Sequence, residues 1–242
     1  MQDIIRGLLE AALLECCPRR LVGRFRDGAC MRTALGHGSD DLAAYVRRDP
    51  AAGDPTRVAQ ACTSFRAVLH YRLARAWLDG CDPGIDRQEA ETLAALLSCR
   101  GKLLSGAEIH PHARIGHRFV LDHGWGTVIG QTAELGDDCY LLGGVTLGAA
   151  GIADNAPGRR HPQLGNRVEV GAYARVFGAV TIGDDVSIGP HCVVNQDLAP
   201  GSVVRVKTTL QVTRLRGAPS RRVAPPGRLP APNPAPSPTV DR

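Results

Sequence analysis

The sequence predicts an α+β chain, a helical N-terminal part followed by a parallel β-helix built from six-residue repeats. Three observations carry that expectation. Apolar residues recur at helical spacing up to about residue 104, an aliphatic residue recurs every six positions from Ile109, and aromatics are only 4% beside 28 glycines in 242 residues. A six-residue period is the signature of a β-helix wall, and a core poor in aromatics suits its narrow interior.

Residues 1 to about 104 read as helices. Ile4, Ile5, Leu8, Leu9, Ala12 and Leu13 mark the first, Phe65, Val68, Leu69, Leu73, Ala76 and Trp77 a second, and Ala90, Leu93, Leu96 and Leu97 a third. Each set has the spacing of one helix face. Cys17-Pro18, Asp49-Pro50 and the run from Gly80 to Gly84 separate them, because Pro and Gly interrupt regular backbone.

From Ile109 the aliphatic position runs 109, 115, 121, then 129, 135, 141, 147, then 164, 170, 176, 182, 188, 194, with Ile, Leu or Val throughout. The two breaks are informative. Between Leu121 and Ile129 two extra residues enter the wall beside His123, where Gly124 and Gly126 let the backbone turn. Between Leu147 and Leu164 the chain leaves the wall as a loop, Ala149 to His161, closing on Arg159-Arg160-His161-Pro162. A loop thrown out of a rigid repeat is where binding residues are expected. The predicted units are a helical domain over 1–104, a β-helix domain over 105–205, and a coil end with a Pro- and Arg-rich tail over 206–242, disordered from about 217.

Composition narrows the function classes. No run of about 18 apolar residues, the length a membrane span needs, occurs, and Asp3, Arg6 and Glu10 sit within the N-terminal amphipathic period where a secretory signal has none. The expected compartment is the cytoplasm, with no membrane partner. Cys16, Cys17, Cys30, Cys62, Cys81, Cys99, Cys139 and Cys192 form no CxxC or zinc-like spacing and read as reduced small hydrophobes. The net charge of +5 is carried by arginine, Lys102 and Lys207 being the only lysines, and many arginines lie in the tail without interleaved aromatics. Nucleic acid is therefore not an expected partner; solvation and attraction to a phosphorylated ligand both fit.

Several motifs are more specific than the repeat: Arg48-Asp49-Pro50-Ala51, His70-Tyr71-Arg72, Glu108-Ile109-His110-Pro111, Leu121-Asp122-His123-Gly124, Val128 to Ala133, Gly144-Val145-Thr146-Leu147-Gly148 and Arg160-His161-Pro162. In order and spacing the set resembles the serine O-acetyltransferase family, over roughly Ala44 to Pro200. The resemblance implies a left-handed β-helix, assembled as a homotrimer or a dimer of trimers, with each active site between neighbouring subunits. It also implies acetyl transfer from acetyl-CoA to the hydroxyl of L-serine, giving O-acetyl-L-serine for cysteine biosynthesis.

A serine hydroxyl attacks a thioester only when a general base takes its proton, and histidine suits that task. His123, beside the break, is the candidate base, and the resemblance places the family's catalytic histidine there. A carboxylate just before Ile-His-Pro orients the imidazole in the family; here it is Glu108, longer than the Asp of many members. The resemblance also puts His161 near the hydroxyl or the thioester, Asp49 and Asp122 at the substrate ammonium, and Arg160 at its carboxylate, where a guanidinium fork fits. Asp49 read alone equally suits a cap or turn at Asp-Pro. Gly148 and Gly151 at the loop start, and Ala172 and Arg175 further along, occupy family positions for acetyl-CoA. No metal is expected.

The chain departs from the family in three places. Leu147-Gly148-Ala149-Ala150-Gly151-Ile152 stands where many members read Leu-Gly-Gly-Thr-Gly-Lys. The coil ends on Arg205-Val206-Lys207, whose cations are candidates to meet the CoA phosphates. The last residue is Arg242 where members that dock into O-acetylserine sulfhydrylase end in isoleucine, so that docking is not expected. Three alternatives stay open: a different small hydroxy-amino acid or specialised metabolite as acceptor, a γ-carbonic-anhydrase-like metal site using His112 and His117, and a non-catalytic trimeric scaffold.

Overall fold

The computed structural model describes residues 1–80, 84–153 and 157–207. Cys81, the centre of the predicted loop and the predicted disordered tail with Arg242 lie outside the described residues. Among the described residues the chain opens with α1 (Gln2–Cys16), α2 (Arg19–Arg26), α3 (Ala29–Arg48), α4 (Pro55–Ala61), α5 (Thr63–Leu78) and α6 (Arg87–Ser105). Local chemistry sets several ends. The Asp54 carboxylate accepts from Thr56 N–H at the start of α4, with Pro55 in the first turn. Asp86 caps α6 in the same way, and Gly106, at φ +74°, closes that helix in the left-handed conformation that glycine adopts freely.

Three of these helices, α2, α3 and α4, are absent from the periodicity. The first buries only Leu21 and Phe25 among its arginines, the second holds Gly36, Gly38 and a buried Asp41, and the third is seven residues long. Helix α5 is buried almost all round, including Ser64, His70 and Arg72, and it packs chiefly on α3 and α6.

The β-helix follows as three parallel sheets. Sheet A stacks β1 (Glu108–Ile109), β4 (Val128–Ile129), β7 (Thr146–Gly148), β10 (Arg175–Phe177) and β13 (Val193–Val194). Sheet B stacks β2 (Arg114–Ile115), β5 (Glu134–Leu135), β8 (Gln163–Leu164) and β11 (Thr181–Ile182). Sheet C stacks β3 (Val120–Leu121), β6 (Tyr140–Leu141), β9 (Glu169–Val170), β12 (Ser187–Ile188) and β14 (Val203–Val204). Register holds the predicted aliphatic position in line, Ile109 over Ile129, Leu147, Val176 and Val194, all buried. Each such buried side chain contributes about 1.5–3 kcal/mol relative to exposure.

The corners are asymmetric. Arg118, Asp138, Arg167 and Asp185 occupy the B-to-C corner of successive coils at positive φ, and Arg118 pairs with Asp138 and Arg167 with Asp185. His123, Tyr173 and His191 take positive φ at the C-to-A corner instead. Helices and coils form one compact unit, Met1–Val206. They are joined by the buried Tyr71, whose hydroxyl donates to Ala113 O and accepts from Ile115 N–H, and by Ser98, which donates to Ile109 O.

Burial at this joint makes stability depend on pH. His70 is buried on α5, its Nδ1 donating to Arg66 O at 2.7 Å while Nε2 has no partner among the described residues. Burial holds it below the ordinary histidine value of 6.5, and His37, His110 and His161 are lowered by the same cause. The unfolded chain therefore binds more protons, so this stability is complete above about pH 6.5 and is lost as pH falls through the depressed values. The thermal midpoint is expected to fall between about pH 7 and about pH 5, and His70→Gln, which takes no proton, is expected to flatten that decline.

Candidate active site

The extra residues after Leu121 form the turn from sheet C to sheet A, and they set His123 at φ +49° with its side chain 86% exposed. Gly124 is required there, because a Cβ would meet the Leu121 side chain at 2.7 Å, and its N–H donates to Ser64 Oγ at 2.8 Å. Asp122 beside it is mostly covered. Its Oδ1 lies 3.7 Å from His123 Nε2, and its Oδ2 accepts from the Tyr140 hydroxyl at 2.9 Å. The Tyr45 hydroxyl donates to Leu121 O at 2.8 Å and stands 3.4 Å from Asp122 Oδ1. Burial first raises both phenols, followed by the Cys62 bond for Tyr45 and the Asp122 carboxylate for Tyr140.

Asp49 completes this half of the site from the end of α3, its Oδ1 accepting from Ala51 N–H at 2.8 Å. It caps the turn and also faces a cavity of about 500 Å³ lined by Asp122, His123, Arg57, Ser64 and Trp125. The structure thus brings Asp49, Asp122 and His123 together. Glu108 is placed differently from its expected role. Its Oε2 is paired with Lys102 Nζ at 2.5 Å, because the reversal at Gly106 returns the chain alongside the last turn of α6. Among the described residues the carboxylate within 4 Å of a His123 ring nitrogen is that of Asp122.

Arg160 and His161 form a second cluster, where the chain passes from sheet A to sheet B between β7 and β8. Arg160 is hydrogen-bonded to Gln131 Oε1. His161 is only 8% exposed and rests against Gly130, where a Cβ would lie 2.0 Å from the ring. Burial first and then the Arg160 guanidinium lower its pKa. His123 precedes sheet A on the C side and His161 follows it on the B side, so the two clusters sit at opposite ends of the strands of that sheet.

Gly148 ends β7, packed so closely on Phe177 that a Cβ would touch the ring at 2.9 Å. Gly151 is exposed in the loop beyond it. Ala172 lies in the C-to-A corner, its carbonyl accepting from His191 N–H at 3.0 Å, and Arg175 is exposed on sheet A beside Thr146 and Val193. Cys16, Cys17, Cys30, Cys62, Cys99, Cys139 and Cys192 are free thiols. Among the described residues no group of three or more His, Cys, Asp or Glu is arranged to hold a metal ion. His112 and His117 instead face Glu91 and Asp40, at 2.7 and 3.0 Å. Sequence reasoning did not single out Tyr45, Tyr140, Thr132 or Arg57. Thr132 had a signal, lying inside the Val128–Ala133 motif, but the tyrosines reach Asp122 from other coils and helices.

Comparison with known proteins identifies the family. The family described as bacterial transferase hexapeptide (six repeats) matches residues 161–196. The serine acetyltransferase of Helicobacter pylori strain 26695 is 41% identical over 178 residues, covering 74% of this chain and 98% of that protein. That of Mycobacterium tuberculosis is 41% identical over 164 residues, covering 68% of this chain and 67% of the relative. Among solved structures, the serine acetyltransferase of Neisseria gonorrhoeae superposes with a TM-score of 0.71 at 30% identity, covering 87% of this chain and 79% of that one. The same enzyme in complex with serine gives 0.68 at 31% identity, covering 85% and 82%. With parallel coils, motif spacing and these relatives in agreement, the chain belongs to the serine acetyltransferase family.

Proposed function

We propose that this enzyme transfers the acetyl group of acetyl-CoA to the hydroxyl of L-serine, giving O-acetyl-L-serine for cysteine biosynthesis, with His123 as general base. The observation that carries the reading is the meeting of Asp49, Asp122 and His123 on one cavity. An amino-acid ammonium suits the two carboxylates, and an exposed imidazole beside them is placed to take a hydroxyl proton. In the step, His123 removes the proton as the serine oxygen bonds to the thioester carbon. The tetrahedral intermediate then expels the CoA thiolate, which takes the proton back from His123.

The substrate carboxylate is assigned to Arg160, and Gly148, Gly151, Ala172 and Arg175 to acetyl-CoA. Glu108 orients His123 in this reading only by leaving Lys102, so Asp122 shares that role. Because the Arg160–His161 cluster lies across sheet A from His123, one complete site calls for the His123 corner of one copy and the Arg160 corner of another. A homotrimer, alone or paired into a dimer of trimers, meets that need. Among the described residues no helix is long and apolar enough to cross a membrane, and the proposed compartment is the cytoplasm.

Release of the CoA thiol, followed with L-serine, L-threonine and L-homoserine as acceptors, tests the reaction. L-Serine is expected to give the highest kcat/KM, and no turnover with it would overturn the assignment.

A further inference from the structure

The hydrogen bonds around Thr132 fix the protonation of His161. The hydroxyl oxygen of Thr132, in the turn between β4 and β5, accepts two backbone N–H bonds, from Arg160 at 3.0 Å and from His161 at 3.1 Å. Both of its lone pairs are then engaged, and its own proton is what it has left to give. The acceptor at hand is Nδ1 of His161, 2.9 Å away. Thr132 N–H points at the same nitrogen from 3.2 Å.

Two donors converging on Nδ1 require that nitrogen to carry its lone pair, so the ring proton sits on Nε2. Protonation at Nδ1 would set an N–H against both donors. Burial and the neighbouring Arg160 guanidinium act in the same direction, and His110 is a further titratable group close enough to act on this cluster. Nε2 has no partner among the described residues, and the Gly130 backbone passes so close that a Cβ there would stand 2.1 Å from it.

We propose that Thr132 is a positioning residue that holds His161 in the neutral Nε2–H form, so that the ring is a fixed hydrogen-bond donor to the thioester oxygen as it becomes an oxyanion, and not a second base. The reading rests on the acetyl transfer assigned above. It supplies the oxyanion donor that this chemistry needs: a neutral N–H held in advance, which stabilises developing charge without reorganising. A base at this position would need a free lone pair at Nε2, the atom that carries the proton.

The ring state is measured first, on the full chain with 15N-labelled histidine and no substrate. The wild type is expected to show the Nε2–H tautomer across the pH range of activity, with Nδ1 in the unprotonated region of the spectrum. Thr132→Val is expected to mix the tautomers and move the His161 titration upward, and Thr132→Ser to restore the wild-type pattern. An Nδ1–H tautomer in the wild type, or a Thr132→Val spectrum identical to it, would overturn the proposal.

Kinetics separate donor from base. His161→Ala is expected to lower kcat about 100-fold, the usual cost of one oxyanion donor, with the KM for L-serine changed little. His161→Gln, whose amide nitrogen reaches the Nε2 position, is expected to recover part of that loss, and both variants to keep the wild-type number of ionisations in the pH profile. Disappearance of an ionisation from either profile would make His161 a base and defeat the assignment. If the wild type fails to acetylate L-serine, the reaction assigned above falls, while the tautomer measurement still decides the role of Thr132.

Discussion

His123→Ala is expected to lower kcat with L-serine by about 1,000-fold, within the range that a positioned general base contributes. The loss is large because neither carboxylate substitutes for the imidazole: Asp122 is tied to Tyr140, and Glu108 is held by Lys102. The KM for acetyl-CoA is expected to change less than about threefold, since a group acting only in the transition state lowers kcat and kcat/KM together. Because the side chain is 86% exposed, its removal leaves no cavity, and the thermal midpoint should match the wild type. Stopped-flow or steady-state thiol release reads the rate. A variant within about tenfold of the wild type would move the base elsewhere.

The largest expected effect on stability is at Asp41. Arg72 Nε and Nη2 donate to its two carboxylate oxygens at 2.8 and 2.9 Å, and Nη1 and Nη2 donate to the carbonyls of Ile115 and Gly116, both at 2.7 Å. Asp41 Oδ1 also accepts from Phe119 N–H at 2.9 Å. With Asp41 0% and Arg72 4% exposed, water does not replace a lost partner. Asp41→Ala leaves a guanidinium buried without its counter-charge and is expected to cost about 3–5 kcal/mol in urea unfolding. That is a large part of a typical domain's stability, about 5–15 kcal/mol. Asp41→Leu with Arg72→Met is expected to recover much of the loss, since removing both charges ends the desolvation penalty. A loss below about 1 kcal/mol for Asp41→Ala would show that the pair does not clamp helices to coil.

These two sites also mark how far the sequence could be read. Coils were legible because each places one aliphatic side chain at the same point of a six-residue path, so burial repeats in the letters themselves. The position of His123 was legible from the two-residue break, a disturbance visible only against that period. Asp41 was not, because a charged residue inside α3 looks like a solvated face until Arg72 is brought to it from 31 residues away. Tyr45 and Asp122 are likewise 77 residues apart and meet only in the fold. Glu108 shows the converse difficulty. Its place in a motif suggested one partner, while the reversal at Gly106 supplied another in Lys102.

Asp49 rides on the end of α3, whereas Asp122 and His123 belong to the coil. The cavity is therefore a seam between a helical piece of chain and a piece of the coil. Changes on α3 also reach the coil, since Tyr45 donates to Leu121 O and Asp41 accepts from Phe119 N–H. Arg57 of α4 lines the same cavity, so the helices contribute both a carboxylate and a guanidinium to a wall that the coil shares.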